Sequence, residues 1–156
     1  MDIEQYNLEY ILGMYVPECR YLINAELEFP VGKGLFRIPK SFYAKATGHF
    51  NAVELIICYN QLAYVMFAEF IMHGLIPEFS GSSFEEFKRF RLLTNSFIVG
   101  MNNVKFRRPI DPREFKGQIR LEKVITKRNN SLYFLKTEYN FEDGKQTGNI
   151  DLAVVL

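Results

Sequence analysis

The most apolar part of the chain covers residues 55–72 and is interrupted by three strongly polar side chains, Asn60, Gln61 and Glu69. An apolar run of this length without a turn signal is typical of a helix enclosed by other elements. The three polar side chains make the run a poor membrane span. They also raise a question, because a carboxamide in the middle of a buried helix is costly unless it is hydrogen-bonded.

The two ends of this helix carry their own signals. Asn51 followed by Glu54 matches a capping box, in which the Asn oxygen accepts from a first-turn amide and the Glu side chain reaches back. No proline or glycine occurs between Asn51 and His73, and Gly74 is a natural C-terminal stop. The sequence therefore predicts a central helix over residues 51–73.

Shorter patterns lie on both sides of the central helix. Apolar residues at helical spacing predict an amphipathic helix that closes near Gly13, and an alternating segment at 20–29 predicts a first strand. Pro30, Gly32 and Gly34 predict a turn after that strand. The remaining predicted pieces are extended segments at 35–39 and 41–46, a short helix capped at Ser82 or Ser83, and strands at 94–110, 115–129, 131–141 and 146–156, with hairpin turns at 128–131 and 142–145.

This order of elements predicts a single domain over residues 1–156. A curved antiparallel sheet hides one face on a helix, and one very apolar helix is the right size to be wrapped by it. That is the α+β hot-dog arrangement, with the long helix at its centre. An uncovered sheet edge is usually paired with a second copy, so we expect a homodimer or a higher homo-oligomer.

The composition limits the classes of partner and of site that the sequence predicts. Nineteen basic and eighteen acidic residues give a net charge of +1, so nothing in the charge predicts a nucleic-acid partner. The basic patch at 105–109 is open to two interpretations, a phosphate contact or a solvated strand end. The first ten residues lack the basic start and apolar run of a signal peptide, which predicts a cytoplasmic protein. Two cysteines without CxxC spacing predict neither a disulfide nor a metal site, and mid-helix Cys58 is expected to be inert packing.

The turn before the central helix, TGHF at residues 47–50, resembles the GHF turn of the hot-dog 3-hydroxyacyl-ACP dehydratases. In those enzymes the His works with an acidic residue on the helix. Here the middle of the helix offers Asn60 and Gln61 instead, which removes half of that acid and base pair. Glu54 is interpreted as part of the cap, and Glu69 as solvent-facing or paired. Tyr59 and Tyr64 are expected in the core.

A resemblance to a narrower family accounts for amides in the middle of the helix. Tyr43 and the run GHFNAVELIICYNQLAY are similar to the FcoT-type branch of the hot-dog thioesterases. The resemblance implies four catalytic residues, namely Tyr43, Asn51 and Asn60 by motif and Tyr10 by ungapped spacing. It also implies a substrate that is an acyl thioester of CoA or of acyl carrier protein, without a metal or cofactor. Two reactions belong to this family: hydrolysis of fatty acyl thioesters, and conjugate addition of glycine to a (2E)-enoyl-ACP, as used in isonitrile pathways.

Asparagine and tyrosine are poor bases, which favours a nucleophile that needs little activation. Glycine's amine is such a nucleophile, so conjugate addition is the favoured reaction. The expected substrate-binding residues are the turn residues Gly48 and His49, and cations near Tyr43 that could hold the glycine carboxylate, namely Arg37, Lys45 and also Lys40. The acyl chain is expected among Phe42, Ile56, Val65 and Phe67.

Asn51 and Asn60 are nine residues apart, about 13 Å along a helix and on opposite faces. They are therefore expected to meet across a dimer, one from each chain. The alternatives are a plain long-chain acyl-CoA thioesterase, a dehydratase-like enzyme, and a non-catalytic acyl-binding protein in which Asn60 fixes the register of the subunits. Gln61 stays open between a structural hydrogen bond and a role in the dimer seam.

Overall fold

The computed structural model describes residues 5–41, 49–79, 96–127 and 131–155. It contains a curved antiparallel sheet of six strands in the order β1-β2-β4-β5-β6-β3, with a long helix packed on it. The helices are α1 (Gln5–Leu12) and α2 (Ala52–Met72), and the strands are β1 (Leu22–Glu28), β2 (Val31–Phe36), β3 (Ser96–Phe106), β4 (Phe115–Lys127), β5 (Leu132–Phe141) and β6 (Gln146–Val155). The predicted hot-dog arrangement is confirmed.

The central helix is the predicted one. α2 begins after Asn51 in a complete capping box with Glu54, and it ends at His73 before Gly74, which adopts a positive φ of 66°. By length and composition the helix could cross a membrane, but most of its apolar stretch is buried inside the fold. α2 is therefore the core of the domain. The expected cytoplasmic location stays a prediction.

The four strands predicted after the central helix are present. β3 lies within the strand predicted at 94–110 and is irregular, with register shifts against β6 after Ile98 and after Asn102. The turn between β5 and β6 places Glu142, Asp143 and Gly144 at positive φ, which confirms the second hairpin signal. The first hairpin signal at 128–130, the extended piece at 42–46 and the short helix at Ser82 or Ser83 lie outside the described residues.

One prediction before the central helix is wrong. Gly32 and Gly34 do not form a turn; they lie inside β2, which is paired with both β1 and β4. A Cβ on Gly32 would come within 3.0 Å of the Met66 side chain, and a Cβ on Gly34 would come within 2.8 Å of the Leu22 side chain. These glycines therefore allow strand and core side chains to approach closely, which is a tertiary reason that a local turn signal does not reveal.

A cluster of phenylalanines fixes the entrance to α2. The ring of Phe50 lies 4.8 Å from that of Phe115 and 5.5 Å from that of Phe141. The Phe50 amide also donates to the Ile110 carbonyl at 3.1 Å. Phe50 is 1% exposed, so the residue between His49 and Asn51 is held in the core. The start of the helix is thereby tied to β4, β5 and the segment that follows β3.

β1 and β3 form the two edges of the sheet. On β3 the apolar side chains of Phe97, Val99 and Met101 are 51%, 54% and 40% exposed. An edge strand with exposed apolar side chains is a surface that proteins usually cover. The expected dimer stays a prediction.

Candidate functional site

The start of α2 is closed by its cap. The side-chain oxygen of Asn51 accepts hydrogen bonds from the amides of Val53 at 2.9 Å and Glu54 at 3.4 Å. Glu54 is 1% exposed; one of its oxygens accepts from the Asn51 amide at 3.0 Å and the other from the Ser41 hydroxyl at 2.6 Å. Both oxygens of this carboxylate are therefore in use, and the predicted capping role of Glu54 is confirmed.

Gln61 clips the middle of α2 to the beginning of β1. Its side-chain oxygen accepts from the backbone amides of Tyr21 and Leu22, both at 2.9 Å, and its nitrogen donates to the Cys19 carbonyl at 2.5 Å. The Gln61 side chain is fully buried. Of the two predicted roles, the structural hydrogen bond is confirmed, because three backbone groups that the sheet leaves unpaired find their partners here.

Asn60 differs from its neighbour. It is half-buried, and its carboxamide makes no hydrogen bond to any residue in the part of the chain that the structure describes. One turn earlier on the same side of the helix lie Ile56 and Ile57, both half-buried, and Val53 at the helix start is 47% exposed. Asn60 thus presents an unused amide in the middle of a largely apolar, partly open helix face.

The carboxylate near the far end of α2 is buried and paired. Glu69 is 3% exposed and one of its carboxylate oxygens lies 3.6 Å from Nδ1 of His73. Of the two predicted states of Glu69, solvent-facing is wrong and paired is confirmed.

Burial and the nearby Glu54 carboxylate raise the pKa of the Cys58 thiol, which confirms that this cysteine is inert packing at neutral pH.

The two tyrosines of α2 lie in the core, as predicted. Tyr59 is fully buried and its hydroxyl lies 2.7 Å from that of Thr137. Tyr64 is 5% exposed. Burial raises the pKa of both phenols, so both stay protonated at neutral pH.

A surface cavity of about 390 Å³ opens beside the start of α2. Its lining includes His49 and Asn51 from the helix entrance, Arg107 and Arg108 from the segment that follows β3, and Gln146 from the start of β6. The structure therefore brings together two of the predicted site residues, His49 and Asn51. Asn60 lies about 13 Å further along the helix and on another face, as expected from the spacing.

The other predicted residues are placed as follows. Tyr10 lies on α1, which packs on α2, and is 42% exposed. Arg37 is exposed and pairs with Glu114 at 3.0 Å, and it is not among the residues that line the cavity. Lys40 is exposed. Tyr43, Lys45 and Gly48 lie outside the described residues, as does the rest of the segment 42–48, which includes Phe42.

Sequence reasoning missed Gln146 as a site residue and left the basic patch at 105–109 undecided. The patch could have been found, because two consecutive arginines after a strand are a local charge signal. Gln146 could not, because a single glutamine at the start of a strand carries no distinctive pattern. Its place in the cavity follows from the pairing of β6 with β3, in which Gln146 lies opposite Phe106.

The chemistry available here is that of amides and cations. Carboxamides can donate to an oxygen that gains negative charge, guanidinium groups bind anions, and an imidazole exchanges protons near neutral pH. The cap already occupies the amides of Val53 and Glu54, so these helix N–H groups are not open to a substrate. Within the described residues no three His, Cys, Asp or Glu side chains are grouped as metal ligands.

Comparison with solved structures identifies the fold. A protein of Shewanella oneidensis assigned as a thioesterase superposes with a TM-score of 0.58 at 8% identity, covering 98% of this chain and 100% of that one. A protein of Ralstonia eutropha assigned as a thioesterase related to phenylacetic acid degradation gives a TM-score of 0.51 at 16% identity, covering 96% and 100%. At these identities the likeness concerns the fold alone.

Comparison of sequences identifies the family. A (2E)-enoyl-[ACP] glycyltransferase of Mycobacterium marinum is 34% identical over 145 residues, which cover 88% of this chain and 78% of that protein. Proteins with the same name in Streptomyces coeruleorubidus and Mycobacterium tuberculosis are 34% and 37% identical, covering 75% and 65% of this chain and 72% and 56% of theirs. The model of the FcoT-like thioesterase domain matches residues 10–154. The chain therefore belongs to the FcoT-like thioesterase family.

Proposed function

We propose that this acyl-thioester enzyme adds glycine to the β-carbon of a (2E)-enoyl thioester carried by acyl carrier protein or CoA. The observation that carries the proposal is the carboxamide of Asn60, half-buried and without a hydrogen bond to any described residue. An amide in this state on a core helix is available to donate a hydrogen bond to a thioester oxygen as that oxygen gains negative charge. The names of the relatives support the choice of reaction.

The state of the carboxylates favours an amine over water as the nucleophile. Hydrolysis requires a base that activates water, and the two carboxylates of α2, Glu54 and Glu69, are both buried and engaged. A glycine ammonium needs to lose only one proton before its amine attacks, and removing that proton demands a much weaker base than deprotonating water. His49, at the rim of the cavity, is the candidate for taking up that proton.

The reaction balances without a redox partner. The glycine nitrogen forms a bond to the β-carbon, the π pair of the double bond moves toward the carbonyl, and negative charge collects on the thioester oxygen. Asn60 donates to that oxygen as the charge develops. The nitrogen releases a proton and the α-carbon gains one, for which Tyr43 or Tyr10 is the candidate donor. The product is the sum of the two substrates, and the thioester bond stays intact.

The site is completed by a second chain. Asn51 and Asn60 of one protomer are too far apart to contact the same carbonyl. The exposed edge strand β3 is the surface on which we place the second copy. In the proposed dimer the helix start of one protomer and the helix middle of its partner line one site. The homodimer is therefore part of the proposal, and not only a state of assembly.

Product analysis tests the reaction. The enzyme is incubated with a panel of (2E)-enoyl-ACP and (2E)-enoyl-CoA thioesters, with and without glycine, and the products are identified by mass spectrometry. We expect a glycine-dependent adduct with the summed mass. Free acid alone would replace the proposal by the plain thioesterase, and acyl binding without turnover would replace it by the non-catalytic acyl-binding protein.

Subunit complementation tests the shared site. Asn51→Asp and Asn60→Leu each inactivate both sites of a homodimer, but a mixed dimer carries one site with both asparagines intact. Random mixing of the two variants should therefore restore about a quarter of the wild-type activity. No recovery after verified subunit exchange would show that the two residues do not act across chains.

A further inference from the structure

The cavity beside the start of α2 contains an arginine whose guanidinium has no partner among the residues that the structure describes. Arg107 is held in place, because it donates to the Thr147 hydroxyl at 2.7 Å and to the Gly144 carbonyl at 3.2 Å. Arg108 is exposed, and its guanidinium makes no hydrogen bond or ion pair to any residue in the described ranges. Of the two cations in this lining, Arg108 is the one available to a ligand.

The lining of the cavity also includes a residue with a buried acceptor that has no donor within the described ranges. Gln146 is 2% exposed, and its side-chain oxygen has no hydrogen-bond partner among the described residues. A buried carboxamide oxygen left in this state costs about 1–3 kcal/mol. Because Gln146 lines the same cavity as Arg108, a ligand there could supply the missing donor.

The two groups together specify the ligand. Arg108 requires an anion, and the Gln146 oxygen requires an N–H or O–H donor. A small amino acid carries both on neighbouring carbons. We propose that Arg108 binds the glycine carboxylate and that the Gln146 oxygen accepts a hydrogen bond from the glycine amine. This inference rests on the proposed function and assigns the co-substrate to residues other than Arg37 and Lys45.

A phosphate of the carrier fits the same lining less well. A phosphodiester offers no hydrogen-bond donor to the Gln146 oxygen. The pantetheine arm also separates the phosphate from the thioester, whereas this cavity is lined by Asn51, a residue of the proposed reaction site. An amine held here therefore lies beside the start of α2, where the enoyl thioester is expected.

Steady-state kinetics test the assignment. With the enoyl thioester saturating, Arg108→Gln should raise the KM for glycine about 10- to 100-fold and leave the KM for the thioester unchanged. Wild type should prefer glycine to glycinamide, which lacks the carboxylate charge, and the variant should lose that preference. Arg120→Gln makes the same change on β4, where the side chain is 48% exposed and outside the cavity, and should behave as wild type.

Gln146→Leu separates binding from folding. Because the Gln146 oxygen has no partner in the described structure, the variant should be at least as stable as wild type, yet its KM for glycine should rise. If both variants keep the wild-type KM for glycine, the assignment is overturned. If Arg108→Gln raises the KM for the thioester instead, that arginine binds the carrier.

Direct binding keeps this inference separate from the proposed function. If wild type forms no glycine adduct, the proposed function fails, and titration of glycine into wild type and Arg108→Gln by calorimetry then decides the inference alone. Binding to wild type that the variant loses would support the site. Absence of binding to wild type, or equal binding to both, would overturn it.

Discussion

Asn60 and Gln61 are adjacent carboxamides, of which the first is expected to serve activity and the second to serve stability. Substitution of each by an apolar residue of similar shape distinguishes the two roles. Gln61→Met removes the partner of three buried backbone groups, the amides of Tyr21 and Leu22 and the carbonyl of Cys19. At about 1–3 kcal/mol for each unsatisfied group, the loss is at least about 3 kcal/mol. A domain of this kind has about 5–15 kcal/mol of stability in total, so the variant should be severely weakened.

Asn60→Leu should have the reverse effect. No hydrogen bond to a described residue is lost, and leucine is the better helix former by about 0.5 kcal/mol. Stability should therefore stay within about 1 kcal/mol of wild type. Activity should fall about 10²- to 10³-fold, as is typical when one donor to a developing oxyanion is removed.

Urea unfolding monitored by circular dichroism, together with the adduct assay, measures both effects. Gln61→Met should lower the urea midpoint by about 1–2 M, and Asn60→Leu should keep the midpoint while it loses turnover. If Asn60→Leu is destabilised as strongly as Gln61→Met, its amide has a structural partner and the main support for the proposed site is lost. If Gln61→Met keeps the wild-type midpoint, the hydrogen bonds to β1 contribute little.

Three further predictions concern other positions. Asn51→Asp keeps a good N-cap but removes the carboxamide donor, so the free energy of unfolding in urea should stay within about 0.5 kcal/mol of wild type while adduct formation falls. Unchanged turnover would limit Asn51 to capping. Burial raises the pKa of Tyr139 to about 12, whereas the unfolded phenol loses its proton near its ordinary pKa of 10, so stability falls as pH rises from about 10 to about 12. Tyr139→Phe should make this alkaline decline shallower, which thermal melts at rising pH would measure. Gly117→Ala would place a Cβ against the Phe141 ring, where overpacking costs about 1–3 kcal/mol; an unchanged melting temperature would show that the ring can move aside.

The sequence was sufficient where the signal is local. The capping box at Asn51 and Glu54, the stop at Gly74 and the alternating strands after residue 95 depend on neighbouring residues, and all were predicted. β2 was missed because Gly32 and Gly34 look like turn residues, and the reason for their presence is contact with side chains distant in sequence. Close approach of backbone to core is a property of the packed fold.

For the candidate site, too, the sequence was sufficient only where the signal is local. The family motif led to Asn51 and Asn60, but it left the role of the neighbouring amide, Gln61, open between a structural hydrogen bond and the dimer seam; the structure makes the distinction. The distinction arises because the segment that ends at Leu22 lies against one side of α2 and satisfies Gln61 alone. Gln146 and Arg108 line one cavity because the pairing of β3 with β6 places Gln146 opposite Phe106, about forty residues away in sequence. No local pattern reports this pairing.

The orientation of α2 links assembly to chemistry. Successive helix residues are rotated by about 100°, so Gln61 faces β1 while Asn60 shares its side with Ile56, Ile57 and the exposed Val53. In one chain this face is partly open to water, where an amide binds a developing oxyanion weakly. On the proposed two-chain site, a second copy excludes that water, strengthens the hydrogen bond from Asn60 and brings in the partner's helix start. Activity per chain should therefore fall when dilution separates the subunits, and at each concentration it should follow the dimer fraction measured by sedimentation.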